Sequence, residues 1–479
     1  MSMKKRLFLL HVLIALAKPI AAQQNWAAIP CFDLSAPSAV DRIFVDSIHN
    51  ELILVSGYGH KICNSTFKGL VAYNGNGFHD LDFGVNKFNP NPGNGGLSAM
   101  GCIPYHNKTI FGGYFYTVGS DTLYAKSIAL WNGAVWDTFP QRCFSNNMNN
   151  AGGGFWGFLK DNGKLWMYGG FDTIGSTLSK NLVAYDGNTF IAVPSIPASN
   201  YTPINKMIVY KNKLIAGGNF YDYPSFAFSR LAQFDGTSWA QVGNGIQGGI
   251  AFVYDMAIYD DTLYISGTWS KADGNPGNYI VKWDGSQLTD AGFGNLWCGY
   301  GNVKCLIPFH NRLYAFGNFG CGADQPAHGV AYLENGTWTI PQDSIGFYSI
   351  NTAAVYNDEI YIGGAFASIN GDSSINKFAK LICPNFDAAS GCVSSIKKST
   401  HKLDLKIFPN PSNNKLYLET EQSVAIDKVT IINTLGQQVL SLLKPAPKQE
   451  IDISHLPAGI YFIKAENKGG QGVFKVFKE

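Results

Sequence analysis

Lys213-Leu214-Ile215-Ala216-Gly217-Gly218, then after a loop Leu231-Ala232-Gln233-Phe234-Asp235-Gly236-Thr237-Ser238-Trp239: the chain writes this pattern seven times, and its reading decides the fold. The glycines recur as Gly57, Gly112-Gly113, Gly169-Gly170, Gly217-Gly218, Gly267, Gly317 and Gly363-Gly364. The spacing is about fifty residues, the period of a repeat architecture. An apolar pair such as Leu263-Tyr264, Leu313-Tyr314 or Ile360-Tyr361 precedes each glycine. An Asx-Gly turn follows it: Tyr73-Asn74-Gly75, Trp131-Asn132-Gly133, Tyr185-Asp186-Gly187, Phe234-Asp235-Gly236, Trp283-Asp284-Gly285 and Asn335-Gly336. Such dipeptides predict type I′ hairpins, which need positive φ at both central residues. Trp136, Phe190, Trp239 and Trp338 then begin a further strand. Each copy thus predicts four short antiparallel strands, and no helical period survives beyond residue 25.

Four strands in each of seven copies predict an all-β chain whose main part, residues 23–383, is a seven-bladed β-propeller. The glycines would let neighbouring blades approach where a side chain would clash. The pattern resembles kelch-type propellers. Gly112-Gly113 with Trp131 and Trp136, and Gly217-Gly218 with Phe234 and Trp239, carry the resemblance, which covers residues 40–383. It implies a fold and no particular ligand, and copies one, five and six depart from it by lacking the full diglycine. The seventh copy stops at Pro384 without its last segment. Gln24-Asn25-Trp26-Ala27-Ala28-Ile29 looks like the missing piece, Asn335-Gly336-Thr337-Trp338-Thr339-Ile340 of copy six. A closing strand from the other terminus would leave the ring without an open edge.

Residues 1–22 read as a secretory signal peptide. Lys4-Lys5-Arg6 is a positive start, Leu7 to Ala17 an apolar stretch too short for a bilayer, and cleavage is expected before Gln23. Residues 384–402 are small and polar and read as a linker. From 403 to 479 strands resume without the repeat signature and predict a small C-terminal β-sandwich. This segment resembles the type A sorting domain of the Bacteroidetes type IX secretion system. The resemblance rests on Phe408-Pro409-Asn410-Pro411, Asn433-Thr434-Leu435-Gly436-Gln437, Leu456-Pro457-Ala458-Gly459-Ile460-Tyr461 and the ending Phe474-Lys475-Val476-Phe477-Lys478. It implies Sec export, transit of the outer membrane, and removal of the domain by a sortase-like peptidase. The cargo is then released or attached at the surface. Pro409, Asn410, Pro411, Gly436, Gly459 and Tyr461 are its signal residues under that resemblance.

Charged residues make up 15% of the chain and the net charge is +2, which excludes the basic stripe that nucleic acid requires. No GxSxG elbow, HExxH, P-loop or calcium loop occurs. The histidines are scattered; His106 and His310 fall at equivalent turns, and a turn role accounts for them without a metal. Neither metal nor cofactor is expected. Nine cysteines in an exported chain predict disulfides at one rim. The expected pairs are Cys31 with Cys63, Cys298 with Cys321, and Cys383 with Cys392. Cys102 with Cys143 is a further pairing, and Cys305 is left over. Asp46-Ser47, Asp121-Thr122, Asp172-Thr173, Asp261-Thr262 and Asp343-Ser344 resemble O-glycosylation acceptors and also suit turns. The loops between strands two and three and between blades vary in length and are rich in aromatics. Trp156, Tyr221, Trp269, Trp297, Tyr300 and Phe347 are therefore the candidate ligand-binding rings. The function read here is a secreted or surface binding or structural protein with a glycan or protein ligand; the alternative is a polysaccharide-active enzyme.

Overall fold

Each copy of the repeat folds into one four-stranded antiparallel sheet. The computed structural model describes residues 26–29, 39–56, 60–62, 65–67, 70–81, 98–115, 117–119, 123–125, 127–139, 143–144, 154–198, 204–222, 225, 227–248, 251–296, 301–319, 329–341, 345–346, 349–382, 405–420, 426–433, 438–467 and 470–479. The chain divides into two compact units, Met1–Ser390 and Gly391–Glu479. Among the described residues of the first unit are seven four-stranded sheets, numbered I to VII here in chain order. Their inner strands are Arg42–Asp46, Ser98–Tyr105, Gly154–Asp161, Ile204–Tyr210, Val253–Tyr259, Asn302–Phe309 and Ile350–Tyr356. These strands touch one another in order, and the last touches the first.

Neighbouring sheets bury one apolar cluster between them at every step. Ile53 and Val55 of sheet I meet Phe111 and Trp131 of sheet II. The series ends where Tyr361 and Phe378 of sheet VII meet Val40 and Leu52 of sheet I. Each sheet therefore has two buried faces, and in sheets I to III the third strand is apolar throughout rather than alternating. Leu70–Tyr73, Ile128–Trp131 and Leu182–Tyr185 are buried at every residue. Outer strands are held from the preceding sheet. Trp136 Nε1 donates to Leu81 O at 2.6 Å, Trp239 Nε1 to Pro194 O at 2.7 Å, and Trp338 Nε1 to Ala291 O at 2.9 Å.

Sheet VII takes its outer strand from the other end of the unit. Trp26–Ala28 pairs antiparallel with Phe378–Leu381, in the register Trp26 opposite Leu381 and Ala28 opposite Ala379. This is the closure expected from the sequence; Gln24 and Asn25 lie outside the described residues. Trp26 is 1% exposed, in a cluster with Phe309, Phe316 and Ile360.

The Asx-Gly turns differ from the expectation in all but one copy. Only Asn335 and Gly336 both have positive φ, at 49° and 77°, as a two-residue type I′ turn requires. In the other five the loop has four residues and only the glycine is left-handed, as at Gly187 (φ 102°) and Gly236 (φ 100°). The Asx side chain does the remaining work: Asp235 Oδ1 accepts from Thr237 N and Ser238 N, both at 2.8 Å. The type I′ geometry appears instead between inner and second strands, as at Asp260-Asp261 (φ 48° and 51°). His106 and His310, both at φ 52°, open the equivalent turns of sheets II and VI, where the histidine alone is left-handed. Helix is confined to the 3-10 turns Lys271–Asp273 and Phe293–Leu296 among the described residues.

The second unit has a three-stranded sheet, Leu405–Phe408, Lys415–Thr420 and Lys448–Asp452, and a four-stranded sheet, Gln438–Leu443, Lys428–Asn433, Gly459–Asn467 and Gly470–Lys478. Leu416, Leu418 and Ile451 of the first share one core with Val429, Ile431, Ile463 and Val476 of the second.

Two outcomes follow. Trp26→Ala is expected to cost about 3–5 kcal/mol, since it empties a closed site at the ring junction; denaturant unfolding of the full chain measures it, and a loss under 1 kcal/mol would place the closure elsewhere. The N–H groups of Gln287 and Ser286 hold the Asp284 carboxyl down to about 2 from 3.8. A depressed carboxyl stabilises the fold above its ordinary value and loses that contribution as pH falls through the folded value. A carboxyl-carbon NMR titration should therefore place the Asp284 midpoint near 2 and not near 4.

Candidate functional site at the ring centre

Six of the inner strands slip register by one residue at the same place. The slips fall between Ala99 and Gly101, Phe155 and Gly157, Ile204 and Lys206, Val253 and Asp255, Val303 and Cys305, and Ile350 and Thr352. Each is a β-bulge whose extra residue leaves the ladder: Met100, Trp156, Asn205, Tyr254, Lys304 and Asn351. Sheet I has Asp41 in the equivalent place, donating its N–H to Val55 O at 2.8 Å while Arg42 pairs with Val55. All seven residues line one cavity of about 770 Å³.

A glycine of the second strand makes each slip possible. Gly113, Gly169, Gly218, Gly267, Gly317 and Gly364 all stand opposite the residue before the bulge. A Cβ at Gly267 would overlap Phe252 O, and one at Gly364 would overlap Ser349 O. The expected role of the glycines, close approach between sheets, belongs to a different set. A Cβ on Gly217 or Gly363 would stand 2.5 Å from Val253 Cγ1 or Val40 Cγ1 of the next sheet. In copy three the recurring glycine is the first of its pair, because Tyr168 occupies the preceding place.

The lining has an aromatic and a charged part. Trp156 comes from sheet III; Phe252 and Tyr254 from sheet V stack with centroids 6.2 Å apart and planes at 4°. Lys206 Nζ lies 2.7 Å from Asp255 Oδ1, and that carboxylate also accepts from Met256 N and Leu306 N, each at 2.9 Å. The Asp255 charge raises the Lys206 pKa. Asp255 thereby ties sheets IV, V and VI together. Lys304 Nζ donates to Asn351 Oδ1 at 2.7 Å and Ser349 Oγ at 3.3 Å. Burial, then the charge of Arg42, lowers its pKa against the opposing pull of Asp41. Cys102 and Cys305 also line the cavity as free thiols, and burial raises the pKa of both. The cavity presents stacking faces, amides and cations around a central space. Its two carboxylates are Asp41 and Asp255, and Asp255 is committed as an acceptor to three donors.

Of the aromatic candidates, Trp156 alone is placed in this cavity among the described residues. Trp269 corrects the sequence reading: it is 1% exposed within the cluster between sheets IV and V, where its ring fills the space above Gly267. Its polar and Gly-rich neighbours had suggested an exposed loop. Tyr221 lies under the buried Arg230, 5.3 Å from ring centre to guanidinium, and is absent from the cavity lining. Trp297, Tyr300 and Phe347 lie outside the described residues, as do Cys31, Cys63, Cys298, Cys321, Cys383, Cys392, Gly436, residues 1–22 and residues 384–402. The pairing of Cys102 with Cys143 is corrected by the free Cys102 thiol. The sequence reading missed Asp41, Arg42, Asn205, Lys206, Tyr254, Lys304 and Asn351. Aligning the copies on the glycine would have shown the signal: a column of seven residues of six types directly after an apolar one.

In the second unit Asn410 and its neighbours bond to the final strand. Asn410 Nδ2 donates to Lys475 O at 2.9 Å, and Asn410 Oδ1 accepts from Phe477 N at 2.9 Å. Ser412 bonds with both neighbours of Lys478, donating N–H to Phe477 O at 2.8 Å and accepting from Glu479 N at 3.0 Å. Pro409 and Pro411 flank Asn410 in this connection, each following a cis peptide bond. Gly459 opens the strand that pairs with the last one, and Tyr461 Oη donates to Pro457 O at 2.9 Å.

Comparison with known proteins assigns the second unit first. Residues 406–479 match the secretion system C-terminal sorting domain. The chain is accordingly exported by that machinery to the cell surface or the medium, and among the described residues no helix is long and apolar enough to cross a membrane. No curated protein matches the chain. Among solved structures it is similar to the extracellular domain of BT4673 from B. thetaiotaomicron, at 10% identity and a TM-score of 0.47, covering 94% of this chain and 53% of that one. The chain thus spans about half the length of that relative. It is also similar to YCF48 bound to D1 peptide, at 11% identity and a TM-score of 0.42, covering 74% of this chain and 94% of that one.

Asn410→Ala removes both bonds to the last strand and is expected to destabilise the second unit by about 1–2 kcal/mol. Amide hydrogen exchange at Phe477 should rise with it; unchanged protection there would contradict the clamp.

Proposed function

We propose that the first unit is a kelch-like seven-bladed β-propeller that binds a saccharide in the cavity ringed by its bulges. The observation that carries this reading is the divergence of seven equivalent positions. The backbone repeats from sheet to sheet, yet the residue it turns to the centre is different in nearly every copy, which packing alone does not require. Trp156, Phe252 and Tyr254 offer flat faces to sugar rings, and Asn205 and Asn351 bring amide groups to the same space. The position of the cavity also supports it. The lining residues come from the first halves of the inner strands, the end where connections between strands two and three return.

Binding fits the site better than hydrolysis, since glycoside cleavage uses a pair of carboxyls and Asp255 is bound up with Lys206 and two backbone N–H groups. In this reading residues 1–22 are a signal peptide, 23–383 the propeller, 384–402 a linker and 403–479 a β-sandwich sorting domain that a sortase removes. The working protein is then the propeller, free or attached at the surface.

A glycan array on the full chain tests the reading, with calorimetry on the strongest hit. Trp156→Ala is expected to weaken that hit at least about tenfold, the loss of roughly 1.4 kcal/mol of stacking, without lowering the melting temperature. Binding that survives Trp156→Ala unchanged would remove the cavity from the account.

A further inference from the structure

We infer that the cavity selects saccharides bearing a carboxylate, with Lys304 and Arg42 as the anion-binding pair; this rests on the saccharide reading above and narrows it. The charges of the lining do not cancel. Arg42, Lys206 and Lys304 face two carboxylates, Asp41 and Asp255. Lys206 is matched at 2.7 Å by Asp255. Lys304 is different: its amine rests on neutral oxygens, Asn351 Oδ1 at 2.7 Å and Ser349 Oγ at 3.3 Å, and no described ion pair engages it or Arg42.

The position of this pair defines the ligand. Lys304 comes from sheet VI and Arg42 from sheet I, with Asn351 of sheet VII between them. The aromatic rings come from sheets III and V, and sheet V adjoins the Lys304 end of that arc. A sugar ring seated on the aromatic side therefore directs a ring carboxylate toward the cations. Lys304 is half-buried, so an incoming anion acts on it through a medium less screening than water, and the attraction is correspondingly larger. Burial and the like charge of Arg42 disfavour the charged amine, and Asp41 offsets them only in part. A carboxylate relieves both penalties at once, whereas a neutral hydroxyl relieves neither.

Calorimetry on the full chain decides the matter. The probes are trisaccharides of galacturonate, glucuronate and mannuronate, each beside its carboxyl-reduced neutral counterpart. At least one acidic member is expected to bind about tenfold or more tighter than its reduced form. Lys304→Met should erase that difference while leaving the melting temperature equal or higher, because it removes a half-buried cation that makes no ion pair among the described residues. Arg42→Gln, at an exposed side chain, should reduce the preference with the fold intact. Equal binding of reduced and acidic members, both abolished by Trp156→Ala, would overturn the acid preference and leave the saccharide site standing. A preference that survives Lys304→Met would also overturn it. Binding of neither set would overturn both readings.

Discussion

A backbone carbonyl stands where a side chain would otherwise be, and the centre of the molecule depends on that substitution. Phe252 O occupies the space that a Cβ on Gly267 would need, and Ser349 O does the same at Gly364. The vacancy lets the inner strand carry one residue too many. Without the slip, strict alternation would send successive side chains only into the two clusters flanking each sheet. With it, one residue per inner strand is released from both faces and turned to the centre. The glycine signature is thus the mark of the bulges as well as of the fold.

The ring supplies rigidity to that geometry. No sheet here can bury its two apolar faces alone, and each cluster is shared by two neighbours, so the stability of one sheet is bound to the next. Closing the circle makes the dependence mutual, with Trp26–Ala28 as the outer strand of the last sheet. The Trp136, Trp239 and Trp338 indoles reach back to carbonyls of the preceding sheet and add directional bonds to a contact that is otherwise non-directional. The inner strands are consequently held from both sides, which is what a preformed site requires.

On this uniform frame the chemistry is concentrated where packing is least demanding. Asp255 spends its carboxylate on joining three sheets, so Lys206 is a structural cation. Lys304 and Arg42 make no ion pair among the described residues. The second unit shows the same economy at smaller scale: Asn410 and Ser412, set between and after two prolines, hold the last strand by backbone bonds, so part of the sorting motif is spent on the fold of the domain that carries it.

The sequence by itself determined the elements that local rules govern. Strand boundaries, the seven-fold period, the N-terminal closing strand and the sorting domain were legible because alternation, turn residues and motif blocks act over a few neighbours. The turn at Asn335-Gly336 was legible too, while the five other Asx-Gly turns took four-residue loops because the Asx side chain could cap two N–H groups itself. Trp156 was singled out as a loop residue but lines the cavity from the bulge of an inner strand; Trp269 was misread, because its burial depends on the room left by Gly267 and on the sheet beside it. The charged lining was not visible at all. Asp41, Arg42, Asn205, Lys206, Lys304 and Asn351 lie far apart along the chain, and nothing local marks them as facing one point. Only the tertiary structure decided that, since a bulge is a relation between two strands, and a common centre exists only once all seven sheets have closed.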